Sequence, residues 1–134
     1  MRRGIAAILS LPVLLGCGGG MSAATDTSFP VTFILRTVDG ASLPYSLVQN
    51  GVNVQVTADV VVLSSDGQFL ETTTYRNVAS GASQDQTVGG TWAQSGSVIS
   101  LAFVLGRSGT VLGTDDGTTL SIVNGALGTW TYGT

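Results

Sequence analysis

The chain of 134 residues contains no histidine and no lysine. The lack of histidine excludes a Ser-His-Asp triad and an imidazole general base. The lack of lysine excludes a Schiff-base mechanism. The carboxyl side chains that remain are seven aspartates and one glutamate, and no two of them stand in a pattern typical of a catalytic pair. The sequence therefore predicts a protein that is not an enzyme and has no catalytic residues.

Cysteine is equally scarce, since Cys17 is the only one. A single cysteine cannot form an internal disulfide, so the fold must be stabilised by its sheet and its core. With no histidine and no free cysteine, zinc, copper and haem lack their usual ligands. We therefore expect no metal site and no cofactor.

Positive charge is scarce as well. Five arginines face eight acidic residues, and two of the five, Arg2 and Arg3, lie in a segment that we expect to be removed. The remaining chain has three arginines against those eight acids, a formal net charge of −5. A basic face is thus excluded, and nucleic acid and anionic headgroups are unfavourable partners.

The first sixteen residues have the three parts of a secretory signal peptide. Arg2 and Arg3 are followed by the mostly apolar, uncharged residues 4–15 and by the small residue Gly16. As a helix, that apolar run would extend only ~18 Å, whereas the hydrocarbon core of a bilayer is ~30 Å thick. A signal peptide is therefore favoured over a membrane-spanning helix.

Leu14, Leu15, Gly16 and Cys17 resemble the lipobox of bacterial lipoproteins. The resemblance implies cleavage between Gly16 and Cys17, a diacylglycerol on the Cys17 thiol, and an acyl chain such as palmitate on the new amine. Two or more such chains hold a protein stably on a bilayer. Because Gly18 rather than aspartate follows, the resemblance implies sorting to the outer membrane, or to the outer face of the plasma membrane in a single-membrane cell.

Three segments follow from this reading. Residues 1–16 are the predicted signal peptide, residues 17–28 the lipidated cysteine with a flexible tether, and residues 29–134 a single all-β domain. The tether is small and polar, and its mean reach is ~17 Å. That reach would free the domain from the headgroups without crossing the periplasm.

Turn signals recur every eight to twelve residues after the tether and predict an all-β fold. Over residues 53–62, small apolar residues alternate with polar ones, which predicts a half-buried strand with Asp59 on its polar face. Residues 77–90 are polar and are predicted to form a mobile loop. We expect an antiparallel meander of about eight to nine short strands that closes into a small barrel, because an open meander would leave exposed edges.

Three segments carry a second resemblance. Residues 39–45 (DGASLPY), 63–69 (LSSDGQF) and 90–92 (GTW) are similar to small bacterial lipoproteins with a lipocalin-like β-barrel, most of them of unknown function. The resemblance covers nearly the whole chain after the tether. It implies the barrel fold, and it implies little about function.

The most interesting side chains are Phe69, Glu71 and Tyr75, which share one face of a predicted strand. If that face points inward, Glu71 lies among aromatic rings with a raised pKa, as is typical of functional sites. An outward, solvated Glu71 is favoured, because charged side chains are mostly exposed. Trp92 is a further candidate for lining a ligand cavity, with simple core packing as the alternative.

Asp115, Asp116 and Gly117 permit two interpretations. Calcium requires six or more oxygen ligands from several residues at set spacing, which this segment does not supply. Two aspartates before a glycine are typical of a turn. We therefore predict a hairpin turn.

Two functions remain from different classes. The first is a lipid-anchored envelope protein whose barrel binds a small apolar or amphipathic ligand near Phe69, Glu71, Tyr75 and Trp92. The second is a structural or protein-interaction lipoprotein that docks an envelope partner through loops or a strand edge. Composition does not separate these two functions.

Overall fold

The computed structural model describes residues 29–134. The predicted signal peptide, Gly16, Cys17 and the tether lie outside the described residues. Within them, no helix has the length and hydropathy to cross a membrane. The described chain begins at Phe29 and enters the first strand at Val31.

Ten strands follow one another along the chain. They are β1 (Val31–Val38), β2 (Ala41–Ser42), β3 (Tyr45–Gln49), β4 (Val52–Leu63), β5 (Gln68–Asn77), β6 (Ser83–Ser95), β7 (Val98–Leu105), β8 (Gly109–Asp115), β9 (Thr119–Val123) and β10 (Thr129–Gly133). A short 3₁₀ helix, Gly125–Leu127, joins β9 to β10. Neighbours from β3 to β10 pair antiparallel in sequence order, as a meander does.

The predicted closed barrel is confirmed. The first strand pairs with the last, where Leu35 lies opposite Tyr132 and Val38 opposite Trp130. Its first half also pairs with β4, with Phe33 opposite Val61. Eight strands, β1 and β4 to β10, therefore close into one antiparallel barrel.

Two short strands fill a wedge in the barrel wall. The second half of β1 pairs with β2, and the first half of β4 pairs with β3. The segment around Pro44, which cannot donate to a ladder, separates these two strands. This segment lies at an edge, because β2 and β3 stand at the two ends of the strand order.

The barrel has two ends, which differ in the turns they carry. The N-terminal end carries Phe29 and the turns after β4, β6 and β8, and the far end carries the turns after β3, β5, β7 and β9. Apolar side chains fill the interior between them: Phe33, Leu35, Val38, Val56, Val61, Leu63, Phe69, Val88, Ile99, Leu101, Phe103, Leu120, Ile122, Trp130 and Tyr132. An eight-stranded barrel is just wide enough for such packing.

A β-bulge in β4 changes which residues face inward. The register with β5 shifts between Val56 and Ala58, which leaves Thr57 as the extra residue. Because side chains alternate with a period of two, one extra residue reverses the faces beyond it. The prediction of a simple alternation is therefore wrong: Val56 points inward, and after the bulge Asp59 and Val61 do so instead of Val60.

The predicted loop at residues 77–90 is also wrong over most of its length. Only residues 78–82 form the connection, and β6 begins at Ser83 and pairs with β5 down to Thr91. The side chains of Gln84, Asp85 and Gln86 are exposed, so this part of the strand is polar on both faces. Backbone pairing with β5 stabilises this part of β6, and such pairing does not require alternating apolar side chains.

The predicted turn at Asp115, Asp116 and Gly117 is confirmed. The Asp116 carboxylate accepts the backbone N–H groups of Thr118 and Thr119 at 2.9 and 2.7 Å. The Asp115 carboxylate accepts the N–H of Gly117 at 2.8 Å. Both aspartates therefore serve the backbone of the turn between β8 and β9.

Candidate functional site

The four candidate ligand-binding residues do not form one site. Phe69 is 1% exposed and packs edge-to-face on Phe103, with ring centroids 5.2 Å apart. Glu71 and Tyr75 lie further along β5 and line a cavity at the far end. Trp92 is half-buried at the N-terminal end, where its ring stacks on Phe29 at a centroid distance of 5.6 Å.

Glu71 points into the barrel, so the expectation of a solvated, outward side chain is wrong. Its exposure is 5%, and its cross-strand neighbours Val61 and Val88 are buried on the same face. The register of the β4–β5 hairpin produces this result. The inward face of β5 carries the side chains of Phe69, Glu71 and Thr73.

Asp59 is the functional candidate that the sequence reasoning missed. It is 0% exposed, although its strand pattern placed it on the polar face. The bulge at Thr57 turns it inward, towards the side chains of β5. The available signal was the apolar run at residues 60–63, which is inconsistent with a simple alternation and is typical of a strand whose faces change.

Asp59, Glu71, Thr73 and Tyr132 form a buried polar cluster inside the barrel. The Thr73 hydroxyl donates to the Asp59 carboxylate atom Oδ2. The other oxygen, Asp59 Oδ1, is buried without a hydrogen-bond partner, and so is the Tyr132 hydroxyl. Buried polar atoms normally have partners, since each unpaired one costs about 1–3 kcal/mol. The polar cluster thus holds two polar atoms, one carboxyl oxygen and one hydroxyl group, without a hydrogen-bond partner.

Burial governs the protonation of this polar cluster. Burial first, and the nearby Glu71 carboxylate second, raise the pKa of Asp59 to about 8, against the opposing hydrogen bond from Thr73. Burial likewise raises the pKa of Glu71, while the Arg107 guanidinium opposes that shift. Burial and both carboxylates raise the pKa of Tyr132 well above its ordinary value. At neutral pH, Asp59 is therefore mainly protonated.

The far end of the barrel holds an open cavity above the polar cluster. Its volume is about 470 Å³, and Glu71 and Thr73 line its inner part. Polar lining comes from Gln86, Arg107 and Asn124, and apolar lining from Val88, Leu127 and Trp130. We call this space the far-end cavity. A more polar cavity of about 590 Å³ adjoins it at Tyr75, but no carboxyl of the polar cluster lines that one.

Arg107 is the cation at the rim of the far-end cavity. Its guanidinium lies over the Phe103 ring at 4.5 Å from the centroid and donates to Asn124 Oδ1 at 2.9 Å. These contacts hold the charge at the rim. The cavity therefore has a cation at its entrance and carboxyl groups at its base.

The N-terminal end offers a separate groove of about 410 Å³. Phe29, Trp92 and Gln94 line it together with the β8–β9 turn. The Trp92 indole N–H donates to the Ser64 carbonyl at 3.0 Å, which fixes the ring. Apart from the turn aspartates, whose carboxylates already accept backbone N–H groups, no acid lines this groove.

Two further findings bear on the site. Across residues 29–134, no group of three or more histidine, cysteine, aspartate or glutamate residues is placed to hold a metal ion. The chain matches no protein-family model, and neither the curated proteins nor the solved structures contain a significant match to it. The function is therefore inferred from the site alone.

Proposed function

We propose that this protein is a non-enzymatic, lipid-anchored protein of the cell envelope that binds a small amphipathic ligand in the far-end cavity. The supporting observation is the cavity itself: it opens at the barrel end, reaches Glu71, and has Trp130 and Leu127 on its apolar side. Ligand sites of soluble proteins typically combine apolar lining with a few polar groups that orient the ligand. The packed core below restricts the ligand to this end.

The proposed anchor suits this arrangement. The described chain starts with Phe29 at the N-terminal end, opposite the far-end cavity. A tether from a lipidated Cys17 would join the barrel there, and the far-end cavity would face away from the bilayer. Ligand entry from the aqueous side would then be unobstructed.

The anchor is tested by mass spectrometry of the native protein. We expect a mature chain that starts at Cys17 and carries three acyl chains or two, and we expect Cys17→Ser to leave the membrane fraction. The loss follows because a chain with net negative charge and no acyl group has little affinity for an anionic bilayer. An intact N-terminal methionine or an unmodified thiol would contradict the proposal.

Ligand binding is tested with the apolar fluorophore N-phenyl-1-naphthylamine. We expect saturable fluorescence enhancement that Gln86→Phe lowers at least about tenfold in affinity, because a benzyl group at residue 86 occupies the entrance. The matched control is Thr87→Phe, which adds the same ring on the neighbouring, outward position of β6. Equal binding by both variants, or no saturable binding to the unmodified protein, would contradict the proposal.

A second candidate function is docking of an envelope protein through a strand edge. The observation that favours it is that β3 pairs only with β4 among the described strands, so its other edge is open, and Val48 on it is 64% exposed. An extended segment of a partner could add to this edge. Docking through β3 does not use the far-end cavity, so Gln86→Phe should leave partner docking unchanged. The fluorophore titration therefore separates the two functions.

A further inference from the structure

The geometry points to a primary ammonium group as the part of the ligand that the buried polar cluster binds. This inference rests on the proposed function and names the chemical class of its ligand: an amine with an apolar tail. Asp59, Glu71 and Tyr132 would hold the ammonium, and the apolar wall of the far-end cavity would hold the tail.

The polar cluster contains atoms that lack a hydrogen-bond partner. Asp59 Oδ1 and the Tyr132 hydroxyl are both fully buried and have no hydrogen-bond partner. The Tyr132 hydroxyl lies beside both carboxyl groups, close enough to influence the pKa of each. Asp59 Oδ1, the Tyr132 hydroxyl and the Glu71 carboxyl group therefore lie close together inside the barrel, and the oxygen atoms of all three groups are able to accept a hydrogen bond.

A primary ammonium group matches the polar cluster in its number of hydrogen bonds and in its charge. A primary ammonium group has three N–H donors and no acceptor. Two buried carboxyls favour a cation over a neutral donor, since charge-assisted hydrogen bonds are about twice as strong as neutral ones. A secondary alcohol or a water molecule would donate to fewer of the acceptors and would not neutralise the charge of the carboxylates.

The ammonium group would reach the polar cluster through the far-end cavity. Glu71 and Thr73 line the far-end cavity directly, while Asp59, which accepts from Thr73, and Tyr132 are fully buried and do not line it. The ammonium must therefore enter past Glu71, and a tail of several carbons would remain beside Val88, Leu127 and Trp130. The indole N–H of Trp130 donates to the Leu127 carbonyl at 3.0 Å, so its polar atom is already partnered and the ring adds apolar lining to the cavity.

Arg107 is the cation of the protein that could compete with the ammonium group for the buried acceptors. Its guanidinium affects Glu71 by charge, but its hydrogen bond is to Asn124 and its plane lies over Phe103. It is held at the rim and does not fill the buried acceptors. Because Arg107 disfavours a cation at the entrance, the tail rather than the head of the ligand must remain there.

The experiment is calorimetric titration at pH 8 with hexylammonium chloride, and with hexanol and hexanoate as tail-matched probes. We expect hexylammonium to bind at least tenfold more tightly than either. Asp59→Asn and Glu71→Gln keep the side-chain shape and should each weaken hexylammonium binding at least tenfold, with hexanol unaffected. Asp85→Asn removes an exposed carboxylate at the same barrel end and should change neither.

A second readout follows protons. Because Asp59 holds a proton at neutral pH, binding of an ammonium should release it, and the apparent binding enthalpy should differ between phosphate and Tris buffers at pH 7. Asp59→Asn should abolish that difference, while circular dichroism shows that the variant is folded.

The outcomes separate this inference from the proposed function. If hexanol displaces N-phenyl-1-naphthylamine as well as hexylammonium does, the far-end cavity binds ligands but the ammonium assignment is overturned. If sodium or potassium chloride alone raises the melting temperature of the unmodified protein and not that of Asp59→Asn, a bare cation occupies the cluster and the assignment is likewise overturned. If no probe binds, the proposed function fails together with it.

Discussion

Asp59→Asn is expected to stabilise the barrel at pH 9 by at least about 2 kcal/mol, because it removes a buried carboxyl that must ionise there. Asp59 keeps its proton in the folded protein up to a pKa of about 8, whereas the ordinary pKa of an aspartate is 3.8. Between these values the folded state binds the extra proton, so the contribution of Asp59 to stability is greatest below pH 4 and is lost as the pH rises to about 8. The slope is about 1.4 kcal/mol per pH unit for one proton.

Urea unfolding from pH 4 to pH 9 measures this effect. The unmodified protein should lose stability across that range, and the raised pKa of Glu71 adds to the loss in the same direction. Asp59→Asn should show a much smaller loss, since its amide keeps an oxygen for the Thr73 hydroxyl and carries no charge.

The control for that series is Asp116→Asn, at an exposed turn on the opposite end of the barrel. It should leave the slope with pH unchanged between pH 6 and pH 9. A stability that is flat from pH 4 to pH 9 in the unmodified protein would show that Asp59 is ionised and solvated, and the account of the polar cluster would then be wrong.

Gly90→Ala is expected to destabilise the barrel by about 3 kcal/mol or more, or to prevent folding. A Cβ at residue 90 would lie 1.8 Å from the Ala102 carbonyl oxygen and 3.0 Å from the Phe103 Cα. Both atoms belong to the backbone of β7, so no side-chain rotation relieves the contact. The strand pair itself must move apart at the point where its register shifts.

The free energy of unfolding in urea, followed by circular dichroism, measures this loss. The matched control is Gly96→Ala in the turn between β6 and β7, where a Cβ meets no atom within 4 Å but φ is +61°. That variant should lose only about 1 kcal/mol, because it has backbone strain without a clash. Equal losses for the two variants would contradict the packing argument at Gly90.

The general class of the structure followed from local signals in the sequence. Turn residues at regular spacing, as at Asp66 and Asp116, predict an all-β meander, and both aspartates indeed accept backbone N–H groups in their turns. Composition alone also excluded the mechanisms that require histidine or lysine, because the chain contains neither residue. These inferences depend on residue type and on contacts a few positions apart, which a sequence contains directly.

The candidate site depended on strand register instead. Glu71 shared a face with Phe69 in the sequence, but whether that face pointed inward was decided by pairing with Val61 and Val88 on other strands. Likewise, Trp92 lies at the other end of the barrel from Tyr75, although the sequence placed both in one group of candidates. Long-range pairing of this kind has no short-range signature.

The sequence by itself determined that this chain builds a closed sheet with little charge and no imidazole or lysine chemistry. Only the tertiary structure decided that two carboxyl groups lie inside the barrel. Strand pairing turns Glu71 inward, and for Asp59 the physical reason is the single extra residue at Thr57: a strand has a period of two, so one bulge moves Asp59 from the solvent face to the interior. Pairing with β5 holds that bulge in place, and the residues of β4 alone do not specify this pairing.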